Sequence, residues 1–203
     1  MATRRFVDDD ISVRESLEPL IRHEGWQPET CASAQEFLDL PRVPVPSCLI
    51  LDISLPGING LELQKRIATE RTNLPIIFIT GHGDVPKTVQ AMKAGAVEFL
   101  TKPFSDDVLL NAIRQALEHS RVVLSYQADR QALRERHASL TPRERQVMAL
   151  VASGLLNKQV GGELGIREIT VKAHRGKVME KMKAGSVADL VKMASRLGVA
   201  RAT

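Results

Sequence analysis

Two short apolar runs without polar alternation constrain the fold of this chain more than any other feature. "SCLILD" (47–52) and "PIIFIT" (75–80) are rich in Ile and Leu, a pattern typical of parallel strands that helices cover on both faces. A weaker third strand is predicted at "AVEFL" (96–100). Residues 60–71 and 85–95, between these runs, carry apolar residues at helical spacing. Strands that alternate with helices predict an α/β fold with a parallel sheet.

Each of the two predicted helices has one apolar face, which is typical of helices that pack against a sheet. The faces are Leu61, Leu63, Ile67 and Ala68 in the first helix and Val85, Val89, Met92 and Ala96 in the second. Gly95 is predicted to cap the C-terminus of the second helix.

Charge is unevenly distributed along the chain. Residues 1–120 contain 12 Lys and Arg against 17 Asp and Glu, whereas residues 139–203 contain 12 against 5. An acidic part joined to a strongly basic part predicts two modules, the second with a polyanionic partner such as nucleic acid. Residues 121–138 contain no Gly or Pro and predict a helical connector. The sequence fits two structures for this connector equally well, a solvated single helix and a dimeric coiled coil.

Cellular location and redox state follow from what the sequence contains. No apolar run is long enough to span a membrane, and the N-terminus has no apolar signal core, so we expect a cytoplasmic protein without a membrane partner. Cys31 and Cys48 stand in no metal or redox spacing and are predicted to be small buried hydrophobes.

Polar residues follow the predicted strands where each strand ends. Asp8, Asp9 and Asp10 follow the short run "FV", Asp52 ends "SCLILD", Thr80 ends "PIIFIT", and Lys102 follows "EFL". The carboxyl ends of parallel strands meet at one edge of a sheet, where ligands bind. Two carboxylates about 5 Å apart repel by roughly 3 kcal/mol at an effective dielectric near 20. The cluster therefore predicts a hard divalent cation, for which Mg²⁺ is the best fit.

The first predicted strand departs from this pattern. A buried strand needs about four apolar residues before the acids, but Arg4 and Arg5 occupy two of those places. The sequence therefore predicts a shortened or frayed strand that holds Asp9 loosely and weakens Mg²⁺ binding. Asp10 is predicted to cap the following helix together with Ser12.

The basic part predicts a helix-turn-helix. Thr141, Pro142 and Glu144 are typical of a helix start, and a short helix capped by Asn157 leads to a turn at Gly165. Further helices are predicted from Arg167 to about Lys183 and over 186–198. In the helix that begins at Arg167, helical spacing places Val171, Val178 and Met182 on the inward face. The opposite face has Thr170 and Arg175 at its edges and contains Ile169, Lys172, Ala173, Gly176 and Lys177.

Several motifs carry a family resemblance. "VDDD", "LILDISLPGINGLEL", "IFITGHGD" and "MKAGAVEFLTKPF" resemble the receiver domain of bacterial two-component response regulators, and "LTPRERQVMALVASGLLNKQVGGELGIREITVKAHRGKVMEKM" resembles a LuxR-type output domain. The pair of domains is similar to the FixJ/NarL group. The resemblance implies a flavodoxin-like (βα)5 receiver at 1–120, a helical linker at 121–138 and an all-α, four-helix helix-turn-helix domain at 139–203.

The resemblance also implies roles for individual residues in the receiver. Asp52 would be the phosphoacceptor, and Mg²⁺ would be held by Asp8, Asp9, Asp52 and the backbone carbonyl of Ser54. Thr80 and Lys102 would contact the phosphoryl oxygens. Phe99 matches the aromatic switch residue, and Pro103 matches a cis-proline that orients the lysine.

The DNA-binding residues that the resemblance and the helical spacing imply lie on the predicted helix-turn-helix. They are Lys158, Thr170, Lys172, Ala173, Arg175, Gly176 and Lys177. Ala173 and Gly176 stand where the family commonly has larger or hydrogen-bonding residues, which favours readout of DNA shape or the help of partners. Arg167 stands where a capping serine is common, and Gly161, Gly162 and Gly176 are each unfavourable in a helix. We therefore expect this domain to be marginally stable.

The functional expectation is a response regulator, not an enzyme in the usual sense, that catalyses phosphoryl transfer to its own aspartate and the later hydrolysis. Its implied partners are a sensor histidine kinase, double-stranded promoter DNA, a second copy after phosphorylation, and RNA polymerase. One alternative is a phosphorylation-independent DNA-binding regulator whose receiver is only a scaffold. Another is a phosphatase-like enzyme with an aspartyl nucleophile, which would need a second acid where this chain has Ser54.

Overall fold

The computed structural model describes residues 3–70, 74–81 and 85–199. It divides the chain into two units, Met1–Tyr126 and Gln127–Thr203. This division falls inside the predicted linker, and the domain bounds given above stay predictions.

The first unit contains a five-stranded parallel sheet with helices between the strands. The strands are β1 (Thr3–Val7), β2 (Gln27–Cys31), β3 (Ser47–Asp52), β4 (Ile76–Thr80) and β5 (Glu98–Thr101). The helices are α1 (Ile11–His23), α2 (Ala34–Asp39), α3 (Gly60–Glu70), α4 (Val85–Lys93) and α5 (Asp106–Ala138), whose last residues belong to the second unit. The strand order β2-β1-β3-β4-β5 confirms the doubly wound α/β fold. It also makes the neighbours β1 and β3 the point where the winding direction changes, at which such sheets bind ligands.

The two central strands are buried on both faces, which explains their unalternated apolar sequences. Every residue of β3 and β4 is buried. Leu49 and Phe78 pack into the core on one face of the sheet, whereas Ile50 and Ile77 pack into the core on the other. Two apolar layers therefore fix the sheet between its helices.

The first strand is neither shortened nor frayed, so that prediction was wrong. All five residues of β1 pair with β2 on one side and with β3 on the other. Arg4 and Arg5 are 2% and 3% exposed, and their guanidinium groups find partners inside the protein. Arg4 stacks over the ring of Trp26 at 4.1 Å from its centroid. Arg5 donates to Glu29 at 2.7 Å and to the carbonyl of Pro41 at 2.6 Å. The aliphatic stems of both arginines thus fill core space, while the charged ends contact an aromatic ring in one case and a carboxylate in the other.

The helix α4 turns a different face to the sheet from the one its sequence predicts. Val85, Val89 and Met92 are 73%, 45% and 42% exposed, whereas Ala91 is fully buried. Ala96, the fourth residue of the predicted face, is buried but follows the end of α4. The small side chain of Ala91 lets the helix approach the sheet closely, and the larger residues then face away from it.

The helix α3 also buries a residue that differs from the predicted one. Leu63 and Ile67 are buried as predicted, but Ala68 is exposed. Gln64 takes its place in the interior, where its side-chain amide donates to the carbonyl of Ala91 at 3.1 Å. A buried polar side chain with a hydrogen-bond partner is tolerated there.

The second unit is all helical. Its helices are α6 (Pro142–Ala152), α7 (Asn157–Leu164), α8 (Glu168–Met182) and α9 (Val187–Leu197). They surround a core that also includes Leu133 from the end of α5. The four helices that the sequence predicts after residue 139 are confirmed.

The helix starts of this unit follow the sequence signals in part. Thr141 and Glu144 form the predicted capping box at the start of α6. Asn157, in contrast, is not a cap: it is the first residue of α7, and the N-cap is Leu156. Its side-chain oxygen accepts instead from Arg175 at 3.1 Å. The side chain therefore bonds to α8 and makes no N-cap hydrogen bond to its own helix.

A partly buried ion pair that the sequence does not predict connects α6 with α8. The carboxylate of Glu144 is almost fully buried, and the ammonium of Lys181 lies 2.7 Å from it. The hydrogen bond from Lys181, followed by those of the cap, holds the pKa of Glu144 below its ordinary value. The pair therefore stabilises the ionised carboxylate inside the second unit.

We predict that Lys181→Ala destabilises α6 and α8, because a buried carboxylate loses its charged partner. The expected loss is about 1–3 kcal/mol, measured by hydrogen exchange of backbone amides in α6 and α8 of the full chain. Lys172→Ala is the matched control, since its pair with Glu168 is exposed on both sides and should contribute less than about 0.5 kcal/mol.

The difference between wild type and Lys181→Ala should shrink in acid. The pKa of Glu144 is lower in the folded than in the unfolded chain, so its contribution is complete above the ordinary pKa of glutamic acid. It is lost as the pH falls through the folded-state pKa. A difference in exchange free energy that persists unchanged to about pH 3, below the ordinary glutamate pKa, would contradict this explanation.

Candidate functional site

Three carboxylates meet at the carboxyl edge of the sheet. Asp8 and Asp9 follow β1, and Asp52 ends the neighbouring β3. Each offers an oxygen such that the three oxygens lie within 4.8 Å of one another. Asp8 is fully buried and Asp52 is 6% exposed, while Asp9 is exposed. The predicted convergence of these residues is therefore present in the structure.

Lys102 connects two of the three acids. Its ammonium lies 2.9 Å from a carboxylate oxygen of Asp8 and 3.0 Å from one of Asp52. Lys102 follows β5, its backbone N–H donates to the carbonyl of Thr80 at 2.7 Å, and the peptide bond to Pro103 is cis, as the family resemblance implies. One ammonium thus contacts two of the three clustered carboxylates.

Burial and the ion pairs change the proton affinities of this cluster. Burial raises the pKa of Asp8, and the hydrogen bonds from Lys102 and from the backbone of Asp10 offset part of that effect. For Lys102, burial alone would lower the pKa, but the hydrogen bonds and charges of Asp8 and Asp52 together raise it. Lys102 is therefore a firmly held cation at neutral pH.

The donor set fits a hard divalent cation. The three carboxylates and one ammonium leave an excess of negative charge in a mostly buried site, and all the atoms that could bind a metal ion there are oxygens. Carboxylate oxygens at one open edge are the ligands that Mg²⁺ prefers. For Ser54, the structure gives a backbone N–H that donates to Asp52 at 2.8 Å. The ligand role of its carbonyl stays a prediction.

Thr80 and Phe99 lie on the next two strands. Thr80 ends β4 and is 2% exposed. Phe99 lies on β5 opposite Phe78, with 6.4 Å between the ring centroids, and is half-buried. Their positions beside the acidic edge agree with the roles that the resemblance implies, and the roles themselves stay predictions. Residues 82–84, which end the motif "IFITGHGD", lie outside the described residues.

Asp10 is separate from the cluster, as predicted. It is the N-cap of α1 and accepts from the backbone N–H and the hydroxyl of Ser12 at 2.9 and 2.6 Å. The third acid of the triplet therefore orients the helix that follows the other two.

Two further residues support the cluster and were missed from the sequence. A guanidinium nitrogen of Arg14, in the first turns of α1, donates to the backbone carbonyl of Asp8. Gly60, the first residue of α3, lies so close to β3 that a Cβ there would be 2.4 Å from the carbonyl oxygen of Asp52. A glycine at a helix start was a usable signal for Gly60, but the sequence contains no signal that connects Arg14 with a main-chain carbonyl.

The second unit presents a helix-turn-helix with a basic outer face. Val171, Val178 and Met182 of α8 are buried as predicted. The residues predicted to contact DNA are exposed, apart from two that are half-buried, Thr170 and Arg175. The exposed ones are Lys158, Lys172, Ala173, Gly176 and Lys177.

The turn between α7 and α8 depends on two glycines. Gly165 has a φ of +64° at the end of α7, a conformation that favours glycine. At Gly161, a Cβ would lie 2.7 Å from the carbonyl oxygen of Ile166. The close approach of the turn therefore requires glycine at position 161, even though glycine is unfavourable inside a helix.

In the part of the chain that the structure describes, no helix is both long enough and apolar enough to cross a membrane.

Comparison with protein families agrees with this pair of sites. Residues 6–114 match the response regulator receiver domain, and residues 138–194 match the luxR family of bacterial regulatory proteins. The chain belongs to the response regulators that carry a LuxR-type DNA-binding domain, a family of transcription regulators. The family resemblance predicted from the motifs is thereby confirmed.

Individual relatives are similar over nearly the whole chain. Nodulation protein W of Bradyrhizobium diazoefficiens is 51% identical over 95% of this chain and 85% of its own. The response regulator protein TodT of Pseudomonas putida is 45% identical over 94% of this chain and 84% of its own. The solved structure of the response regulator StyR is 46% identical and covers 96% of this chain and 98% of its own, with a TM-score of 0.88.

We predict that Arg14→Ala weakens Mg²⁺ binding, because the loop that carries Asp8 and Asp9 loses a hydrogen bond to its main chain. A loss of about 1 kcal/mol is expected for such a bond, which is about a fivefold weaker affinity by isothermal titration calorimetry. Arg22→Ala on the same helix is the control, since Arg22 pairs with Glu18 on the surface. Equal Mg²⁺ affinities of wild type and Arg14→Ala would contradict the prediction.

Proposed function

We propose that a sensor histidine kinase phosphorylates this protein on Asp52 and that the phosphorylated protein binds promoter DNA and regulates transcription. The observation that carries this proposal is the position of Asp52. Its carboxylate ends a central strand, lies beside two further acids and is 3.0 Å from the ammonium of Lys102. Receiver domains in general use Mg²⁺ at such an acidic pocket.

The surroundings of Asp52 support its role as the nucleophile. One of its oxygens accepts the N–H of Ser54, and the other contacts Lys102, so the carboxylate is held in one orientation. Attack of a carboxylate oxygen on the phosphorus of a phosphohistidine would form the acyl phosphate. The phosphorus–nitrogen bond breaks, and the imidazole leaves with its electron pair.

Charge stabilisation is the main contribution of the remaining residues. Asp8, Asp9 and Asp52, with the carbonyl of Ser54, would hold Mg²⁺, which when bound neutralises charge on the phosphoryl oxygens. Lys102 already lies between Asp8 and Asp52 and can move its contact to a phosphoryl oxygen.

Thr80 and Phe99 can convert phosphorylation into a change of surface. The hydroxyl of Thr80, on the strand beside Asp52, would donate to a phosphoryl oxygen. Phe99 is half-buried on the following strand, and movement of Thr80 would open space for its ring. A local charge thereby biases a two-state element, and we propose that the altered surface favours association with a second copy.

The second unit is proposed to bind duplex DNA through α8. Lysines at 158, 172 and 177 are exposed around this helix, and such residues bind phosphates with an affinity that depends on salt. Contact with RNA polymerase is proposed at the same promoter, and the cytoplasmic location stays a prediction.

Intact-mass measurement after incubation with acetyl phosphate and Mg²⁺ tests the phosphorylation. The wild type should gain the mass of one phosphoryl group, and Asp52→Asn should gain none. Asp10→Asn is the matched control within the acidic triplet, because asparagine also caps a helix and Asp10 lies outside the cluster. It should be phosphorylated like the wild type.

Binding of promoter fragments, measured with and without acetyl phosphate, tests whether phosphorylation controls DNA binding. We expect tighter binding by the phosphorylated wild type and no response in Asp52→Asn. A wild type that gains no mass and yet binds DNA would instead support a regulator that acts without phosphorylation, with the receiver as a scaffold.

A further inference from the structure

The outer face of α8 has an apolar residue where hydrogen-bonding groups would be expected. Ile169, in the first turn, is 68% exposed, whereas Val171, Val178 and Met182 on the opposite face are at most 1% exposed. Ala173 and Gly176 follow on the same outer face and are also exposed. These three residues form a small apolar strip, Ile169–Ala173–Gly176, along the helix.

The polar side chains beside this strip are poorly suited to direct base recognition. Two-pronged hydrogen bonds to bases come mainly from Arg or Lys on guanine and from Asn or Gln on adenine, and α8 contains no Asn or Gln. Its one arginine, Arg175, already donates to Asn157 at 3.1 Å. Lys172 pairs with Glu168 at 3.1 Å, which leaves its amine as a flexible point charge.

One group in the major groove matches an exposed isoleucine. The C5-methyl of thymine is the apolar feature of the base edges, and it distinguishes thymine from cytosine and from both purines. Lys172 and Lys177 of α8 provide positive charge on the same helix as the strip, and Lys158 of α7 is also exposed. These charges complement the phosphates that border the groove. Duplex DNA with thymine at the contacted positions is therefore the occupant that fits both the strip and its surroundings.

We infer that Ile169, with Ala173 one turn further along, recognises thymine in the operator through its C5-methyl group. This inference rests on the proposed DNA binding and specifies which base the face selects. Covering the methyl removes apolar surface of both partners from water, so the contact gives sequence preference without a hydrogen bond.

The test begins with the full chain, treated with acetyl phosphate and Mg²⁺, and a random duplex library from which bound sequences are selected. Each thymine of the selected duplex is then replaced in turn by deoxyuridine, which keeps base pairing and lacks only the methyl. We expect about fourfold weaker binding for each contacted thymine, the value of one buried methyl-sized group. The effect should be confined to one or a few positions.

Two variants assign the effect to Ile169. In Ile169→Ala, uracil and thymine at the sensitive position should bind equally, because the side chain that contacts the methyl is gone. The substitution is on an exposed position, so the fold should be unaffected. Val191→Ala, an exposed apolar residue on α9, should keep the full preference for thymine.

Each result has one meaning. A selected duplex that binds equally well with uracil throughout would overturn the inference while leaving the proposed DNA binding intact. A thymine preference that persists in Ile169→Ala would overturn the role of that residue. A library from which no sequence is enriched would overturn both the inference and the sequence-specific DNA binding on which it rests.

Discussion

The ammonium of Lys102, held between Asp8 and Asp52, is the interaction on which the first unit depends. Its two hydrogen bonds connect the ends of β1, β3 and β5. Without a cation, the buried carboxylates would repel one another or take up protons. The carboxylates of Asp8 and Asp52, at the ends of β1 and β3, can therefore lie side by side only because Lys102, after β5, supplies the opposite charge. The same arrangement leaves negative charge in excess around Asp52, since one ammonium only partly neutralises three acids.

Much of this unit could be predicted because its signals are local. The unalternated runs of β3 and β4 follow from burial on both faces, and the polar residues at their ends, Asp52 and Thr80, follow from parallel topology. The polar edge strand β2, with only Cys31 buried, carries no such signal. Nor does the inner face of α4, which is set by how closely Ala91 approaches the sheet. Contacts between distant parts of the chain decide both.

The same distinction holds in the second unit. The capping box at Thr141 and the buried stripe of α8 depend on residues three or four apart and were predicted correctly. Asn157 was assigned to a cap and is instead bonded to Arg175, and the Glu144–Lys181 pair joins residues 37 positions apart. In this unit the sequence pattern reveals which residues of α8 face inward, but not which polar group a buried side chain will meet.

The buried arginines of β1 make the acidic site a product of cooperative assembly. A strand with two guanidinium groups is stable in the core because Trp26, Glu29 and Pro41 receive them. All three belong to the β2 edge of the sheet or to the segments around it, on the side away from Lys102. The carboxyl edge is thus coupled to the outermost strand: the strand that carries Asp8 and Asp9 depends on partners that a peripheral, mostly polar strand and its neighbours supply.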